Sequence, residues 1–495
     1  METNRENGTD GRQVLAIALD AAEASLITRM IDDGRLPALK RLRDHGSWSR
    51  VTSPSDVSTG AVWPNFTTGR RECDHGHYAL WNWDPVEMRL AYANTQRLSP
   101  FWQQLDANGS TVGVLDVPFT PFLGLTKGFE VNEWGCHTPV EGRVQVSPPT
   151  IADEVRTAFP AHPFSDALAQ IPEDSAQVPV FLDECLKGLR LRGALAHRLV
   201  TQVRPDLALV VFEEAHHAGH SLWHTVEPDL AMYADLPDAA SPDKTLADLY
   251  EEMDHQVGRL VETSGPETSV FVFALHGMGP ARGLPQVVDA LLDAMGLACT
   301  VPESSRRRSL LSEFKRRMPG PIRNLYRRSV PLSRRRQWGR SAVLPAYDWS
   351  RTRAFGLPME QSGLVRINLA GREAQGIVPP EEFEKVCDDI ERALLELTTV
   401  DGRPFVKNVI RPPRGSDPAG LPDLVVQWSD ASFEAPALVN GTEVMNVQRE
   451  QTGEHTPDGF CIISGPAAAS PAPETIDGTE LHRLMIAALR PAVHL

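Results

Sequence analysis

Histidines and carboxylates that follow short apolar segments are the residues of this 495-residue chain best suited to chemistry. His216 and His220 stand four residues apart, directly after the apolar segment 207–212. Neutral imidazole nitrogens at this spacing suit a transition metal ion. A histidine-rich surface loop would show the same pattern, so the interpretation depends on the rest of the chain.

Similar polar residues accompany three other apolar segments. Asp20 follows 14–19, His276 follows 269–275, and His455 precedes 460–464. Thr59 lies between small residues, which would let its hydroxyl approach a ligand closely. Because ligands of open α/β sheets bind beyond the carboxyl ends of strands, the pattern predicts a metal site formed by residues far apart in sequence.

The apolar segments themselves predict the fold. Segments 14–19, 111–117, 207–212 and 269–275 are continuously apolar, which indicates strands buried on both faces, and helical patterns separate them. This alternation predicts an α/β protein with a mostly parallel central sheet flanked by helices. Segments 363–368, 423–428 and 460–464 predict further strands, and the predicted core covers 14–300 and 341–495.

A basic segment interrupts this core. The whole chain has a net charge of −16, yet residues 306–340 contain thirteen Lys and Arg residues and a single acidic residue, Glu313. We predict an insertion or cap over 301–340. A solvated lid and a cap that attracts an anionic substrate are both consistent with this composition. The overall negative charge argues against nucleic acid or an anionic membrane as the partner.

Cysteine usage and hydropathy predict the cellular location. The six cysteines are scattered without a CxxC pair, which favours a reducing compartment. The first thirteen residues are polar, and the apolar run after them is too short for a signal peptide. No run approaches the 18 apolar residues typical of a membrane span. We therefore expect a cytoplasmic protein.

Taken together, these motifs resemble the alkaline phosphatase superfamily, in its type I phosphodiesterase/nucleotide pyrophosphatase branch. Asp20 ends the first strand, as the family's first metal-binding Asp does. Thr59 lies ten residues before Gly69, and a His-Gly pair begins six residues after that glycine, which is the spacing of the family's nucleophile segment. The string Asp74-His75-Gly76 belongs to this segment and is not the family's metal-binding Asp-His-Gly.

The resemblance implies two metal sites. One would use His216, His220 and His455, and the other would use Asp20, Thr59 and His276. Two positions depart from the family, since His216 and Leu275 replace carboxylates. We therefore expect one or two divalent transition metals, Zn²⁺ first with Mn²⁺ or Fe²⁺ as alternatives. Glu214, or failing that Glu213, is the candidate replacement carboxylate.

The same resemblance implies in-line attack by Thr59 on phosphorus or sulfur through a covalent intermediate. Ser58 is the alternative nucleophile, while Gly60 and Asn82 would bind the phosphoryl oxygens. We thus predict a metal-dependent phosphodiesterase or nucleotide pyrophosphatase acting on a small phosphate- or sulfate-bearing substrate, nucleotides included. The alternatives are a phosphoryl or sulfuryl transferase and a non-catalytic ligand-binding descendant. The oligomeric state is not predictable from these features.

Overall fold

The computed structural model describes residues 13–54, 58–135, 144–164, 178–230, 233, 245–281, 285–301, 344–358, 362–413, 420–444 and 452–489. Apart from Val301, the predicted basic insertion lies outside the described residues. Among the described residues, no helix combines the length and apolarity needed to cross a membrane.

The strands, in chain order, are β1 Gln13–Leu19, β2 Ser47–Thr52, β3 Trp81–Asp84, β4 Arg89–Tyr92, β5 Val112–Leu115, β6 Phe129–Asn132, β7 Gln145–Ser147, β8 Leu207–Phe212, β9 Thr268–Ala274, β10 Gly277–Pro280, β11 Ala354–Leu357, β12 Gly363–Ile367, β13 Thr398–Thr399, β14 Val406–Ile410, β15 Leu424–Trp428, β16 Ala437–Val439, β17 Thr442–Val444, β18 Gly453–Thr456, β19 Asp458–Ser464 and β20 Thr475–Asp477.

The helices of the described chain are α1 Ala24–Asp32, α2 Pro37–Asp44, α3 Val62–Thr68, α4 Glu72–His75, α5 Phe101–Ala107, α6 Pro149–Ala158, α7 Val178–Val203, α8 Glu214–Leu222, α9 Leu246–Val261, α10 Pro285–Ala294, α11 Phe383–Leu395 and α12 Leu481–Leu489. Helix α9 starts with a capping box, in which Thr245 and Asp248 satisfy each other's backbone amides.

A nine-stranded sheet forms the centre, in the order β20-β2-β19-β9-β1-β8-β5-β6-β7. The five consecutive strands β9, β1, β8, β5 and β6 run parallel to one another, and the first four of them are the strands that the apolar segments predicted. Every residue of β8 and β9 is buried, because apolar clusters cover both faces of the sheet. The predicted α/β class with a mostly parallel central sheet is confirmed.

A second, smaller sheet is antiparallel, with the order β11-β12-β15-β14 and its own apolar core. The predicted strands at 363–368 and 423–428 both belong to it, whereas the one at 460–464 enters the central sheet antiparallel to β9 and β2. A continuous apolar run reports burial on both faces, but it does not reveal strand direction or which sheet receives the strand.

Candidate metal centre and nucleophile

The candidate site lies where three adjacent strands of the central sheet end. Strands β9, β1 and β8 are parallel neighbours, so their carboxyl ends share one edge. Asp20 follows β1, helix α8 with His216 and His220 follows β8, and His276 follows β9. The topology thus brings together residues that are up to 256 positions apart in sequence.

Three histidines turn their Nε2 atoms toward one point. The Nε2 of His216 lies 3.1 Å from that of His220 and 3.0 Å from that of His455. This is the one group of three or more metal-type ligands among the described residues, with its ligand atoms all within 4.8 Å of one another. His216 and His220 share a face of α8 because they are one helical turn apart.

Hydrogen bonds behind two of these rings decide which nitrogen carries the proton. The Nδ1 of His216 donates to Asp20 Oδ2 over 2.7 Å, and the Nδ1 of His220 donates to the Gly453 carbonyl over 2.8 Å. Each proton therefore sits on Nδ1, and the Nε2 lone pairs face one another. Such lone pairs repel unless a cation lies between them, so this donor set fits a divalent ion such as Zn²⁺.

Asp20 is a buried carboxylate surrounded by N–H donors. Besides His216, the indole Nε1 of Trp63 donates to its Oδ1 over 2.9 Å, and His276 Nε2 lies 3.4 Å from the same oxygen. Burial by itself would raise the pKa of Asp20, but His216 and His276 hold that pKa well below its usual range. Asp20 is thus an anion that orients His216.

His455 reaches the site on a short two-stranded sheet. Strands β10 and β18, which are far apart in sequence, pair antiparallel, with Met278 opposite His455. The Glu23 carboxylate accepts hydrogen bonds from the Met278 amide (3.2 Å) and the Thr456 hydroxyl (3.0 Å), which fixes this strand pair near the end of β1. The ring of His276 lies beside it, with its centroid 4.5 Å from that of His455.

His220 and His455, whose Nε2 atoms face that of His216, are held in the neutral form. Burial, together with the neighbouring His216, lowers the pKa of His220 to about 3. Burial and the adjacent histidines likewise lower the pKa of His455 well below its usual range. Neutral imidazole is the form that coordinates a metal, so these shifts favour ligation at neutral pH.

Thr59 opens the turn that leads into α3. It starts the 3-10 turn Thr59–Ala61, one turn before Trp63, whose indole binds Asp20. Thr59 is partly exposed, whereas Ser58 is 3% exposed and its hydroxyl donates to the Tyr78 carbonyl over 2.6 Å. The hydroxyl of Ser58 is therefore committed to the fold, and Thr59 presents the adjacent hydroxyl at a helix N-terminus.

Gly60 and Asn82, the two predicted phosphoryl-binding residues, both make contacts within the fold. A Cβ on Gly60 would lie 2.5 Å from the Ala79 Cα, so only glycine permits this close approach of the two loops. The side-chain amide of Asn82 binds the segment that precedes it: Oδ1 accepts from the Ala79 amide, and Nδ2 donates to the Gly76 carbonyl. The structure gives Asn82 a loop-bracing role, and phosphoryl binding by it stays a prediction.

Glu214, the carboxylate that we expected to complete the second metal site, is bonded to residues outside that site. It accepts hydrogen bonds from Arg192 Nε (2.8 Å) and His162 Nε2 (3.0 Å). Burial would raise the pKa of Glu214, but Arg192 and His162 lower it to about 2. Glu213 is equally buried and approaches His217, with 3.9 Å between their side chains. One oxygen of Glu214 is thus engaged in an internal ion pair, and ligation of the second metal by Glu214 stays a prediction.

Leu275 also supplies no ligand. It is 2% exposed and belongs to the apolar cluster that includes Val62 and Trp63 of α3. The second metal site implied by the resemblance therefore retains only Asp20, His276 and the Thr59 hydroxyl, of which Asp20 is already bonded to two donors.

Three residues of the site escaped the sequence interpretation: Trp63, Glu23 and Arg192. Trp63 lies inside the predicted nucleophile segment, where an indole N–H next to a buried carboxylate was a foreseeable partner. Arg192 interrupts the buried stripe of α7, three residues after Leu189 and seven before Leu199. A charged residue on an apolar helix face is the signal that would have indicated a buried ion pair.

Comparisons with known proteins give a family and a fold. The family profile for type I phosphodiesterase / nucleotide pyrophosphatase matches residues 14–431. Phosphonoacetate hydrolase from Sinorhizobium meliloti 1021, solved with phosphonoformate, is 16% identical with a TM-score of 0.50, and the match covers 96% of each chain. Human ectonucleotide pyrophosphatase / phosphodiesterase 5 is 12% identical with a TM-score of 0.46, covering 97% of this chain and 95% of that one. No curated protein sequence matches.

Proposed function

The chain belongs to the type I phosphodiesterase / nucleotide pyrophosphatase family, and from that membership we propose that it is a metal-dependent phosphohydrolase of the phosphodiesterase type. The observation that carries the proposal is the convergence of His216, His220 and His455 on one point, beside the Asp20 carboxylate and the turn that presents Thr59. A divalent ion bound there would act as a Lewis acid and lower the pKa of a coordinated hydroxyl or water.

The chain's own residues prepare Thr59 for nucleophilic attack. The hydroxyl belongs to the N-terminal end of the 59–68 segment, where the positive end of the helix dipole would stabilise negative charge on an alkoxide or a phosphoryl oxygen. Gly60 keeps this segment against Ala79, so the turn is held in place. We propose that Thr59 attacks phosphorus, that the leaving alkoxide departs in line, and that water then releases the phosphoryl group from Thr59.

We expect the histidine site to hold one tightly bound metal. The other predicted ligands offer a single carboxylate, and its two oxygens already accept from Trp63 and His216. Zn²⁺ fits three imidazoles with an open fourth position, and Mn²⁺ or Fe²⁺ are the alternatives to test.

Hydrolysis of bis-p-nitrophenyl phosphate by the purified protein, with its metal content measured in parallel, tests the proposal. Turnover should require Zn²⁺, Mn²⁺ or Fe²⁺, should be lost in T59A by about 10³-fold or more, and should persist in T59S and in the matched control S58A. Unchanged turnover in T59A would contradict the proposed nucleophile. Turnover that needs an added alcohol or amine would instead identify a group transferase.

A second candidate function follows from Leu275. Its apolar side chain stands where the resembling family has a carboxylate ligand, which favours a descendant that binds a phosphate-bearing ligand without turning it over. In that case the protein would bind metal through the three histidines but would hydrolyse no phosphodiester with any of the three metals.

A further inference from the structure

Arg192 lies in the middle of α7 (Val178–Val203) and is fully buried. Its guanidinium is hydrogen-bonded to two carboxylates from separate elements, and a third, that of Glu213, lies 4.0 Å from Nη2. The Nε donates to Glu214 Oε1 over 2.8 Å, and Nη1 donates to Asp116. Burying a guanidinium is unfavourable unless several partners compensate it, and Glu214 and Asp116 are the hydrogen-bonded partners that do so here.

The two carboxylates connect Arg192 to the strand ends around the metal centre. Asp116 follows β5 and also accepts the backbone amides of Trp134 (2.8 Å) and Gly135 (2.9 Å), just after β6. Glu214 is the first residue of α8, the helix that carries His216 and His220. Through Arg192, helix α8 is therefore tied to two neighbouring strands and to α7.

His162 adds a second contact on the same oxygen of Glu214. Its Nδ1 accepts the Phe164 amide over 3.1 Å, so the proton is on Nε2, which donates to Glu214 Oε1 over 3.0 Å. The first residue of α8 is thus held by two donors that approach from different segments. A single donor would still let the helix rotate about the contact.

The surrounding backbone leaves room for this cluster. A Cβ on Gly135 would lie 1.8 Å from Arg192 Nη2, and a Cβ on Gly188 would lie 2.6 Å from His162 Nε2. Asp116 itself adopts a φ of 51°, in the left-handed region that disfavours non-glycine residues. Two glycines and one strained backbone position thus surround the side chains of Arg192 and His162, so these side chains have little room to change their positions.

We propose that Arg192 is a positioning residue of the metal centre: it clamps Glu214 and thereby fixes the rotation and height of the helix that carries His216 and His220. This inference rests on the proposed function, because it assumes that the histidines bind metal. A rotation of the helix by about 10° moves a side-chain tip roughly 6 Å from the axis by about 1 Å. Metal–ligand distances tolerate only about 0.2 Å, so such a rotation would separate the two Nε2 atoms from His455.

Cobalt binding to the metal-free full-length protein tests this role, because Co²⁺ bound by histidines absorbs visible light and reports its coordination geometry. R192K keeps a positive charge but has no guanidinium fork to span Asp116 and Glu214, and E214A removes the clamp. We expect each to weaken Co²⁺ binding by at least about tenfold and to change the visible band. E214Q keeps the accepting oxygen and should restore affinity to within about threefold of the original protein.

The Arg366–Glu373 pair of the second sheet provides the matched control. Arg366 is also fully buried and its Nε donates to Glu373 Oε1 over 2.8 Å, but the pair belongs to another core. R366K and E373A should lower the melting temperature and leave the cobalt affinity and spectrum unchanged. If only one of R192K and E214A folds, that variant is sufficient for the test. Equal cobalt affinity and spectra in clamp variants, controls and the original protein would overturn the positioning role. Failure of the original protein to bind cobalt would instead refute the metal centre and the proposed function.

Discussion

Replacing Asp20 by asparagine should weaken metal binding without changing the number of metals bound. In the structure the Asp20 carboxylate accepts from the Trp63 indole at one oxygen and from His216 Nδ1 at the other. Asparagine has the same shape but only one accepting atom. Since an indole N–H is always a donor, the amide oxygen must face Trp63, and the amide NH₂ then faces His216.

This forced orientation changes the tautomer of His216. Its Nδ1 must become the acceptor of the amide proton, so the ring proton moves to Nε2, the atom that faces His220 and His455. A protonated Nε2 cannot coordinate. Substitution of a carboxylate behind a metal-ligating histidine typically reduces affinity about 10- to 100-fold, or about 1.4 to 2.7 kcal/mol.

The assay is Zn²⁺ competition against a chromophoric chelator, combined with elemental analysis of the protein. W63F is the matched control, because it removes the other donor to Asp20 and leaves the contact with His216; its affinity should fall by less than about threefold. Unchanged affinity in D20N would refute the tautomer argument. A fall in stoichiometry from two metals to one would show that Asp20 is itself a ligand, as the family resemblance implies.

Three further outcomes follow from the structure. L275D should lower the free energy of unfolding by about 3 kcal/mol and add no metal, because it buries a carboxylate in an apolar cluster; urea unfolding and elemental analysis check this. In G60A the fold decrease in kcat should exceed the fold increase in KM, because the added Cβ would push the Thr59 turn away from Ala79. Steady-state kinetics measures both constants. Burial lowers the pKa of His77 to about 3, so the unfolded chain binds a proton that the folded chain excludes between pH 6.5 and 3, and stability falls as pH falls. Between pH 7.5 and 5 the protein should therefore lose about 2 kcal/mol more than H77Q, measured by urea unfolding without metal.

Each of these outcomes has a result that contradicts it. A gain of one metal in L275D would show that position 275 faces a usable ligand site. In the case of G60A, kinetics equal to those of the original protein would mean that the turn adjusts without moving Thr59. Parallel pH profiles for H77Q and the original protein would indicate that His77 titrates normally in the folded state.

The parts of the site that the sequence predicted are those that depend on local spacing. The apolar run before His216 and His220 marks a strand end, so the sequence alone places both at the edge of the sheet. The helix that puts them on one face was not predicted. Asp20 and His276 follow the neighbouring strands for the same reason. The three-histidine cluster agrees with the predicted ligand set, although binding of metal by these residues is still a prediction.

The roles of Glu214 and Leu275 depended on contacts that spacing does not encode. Glu214 pairs with Arg192, which lies 22 residues earlier in the chain and packs from a different helix. Nothing in the local sequence distinguishes a carboxylate that faces a metal from one that faces a buried guanidinium. The same limit applies to the strands of the second sheet, whose apolar runs look like those of the parallel sheet.

The position of β19 in the central sheet has a consequence for synthesis of the protein. Strand β19 (Asp458–Ser464) lies between β2 and β9, and His455 immediately precedes it on β18. While the ribosome is still making the preceding residues, both β2 and β9 expose an unpaired edge, and such edges recruit other strands. A prematurely terminated chain would therefore carry an aggregation-prone gap in its sheet and lack one of the three histidines.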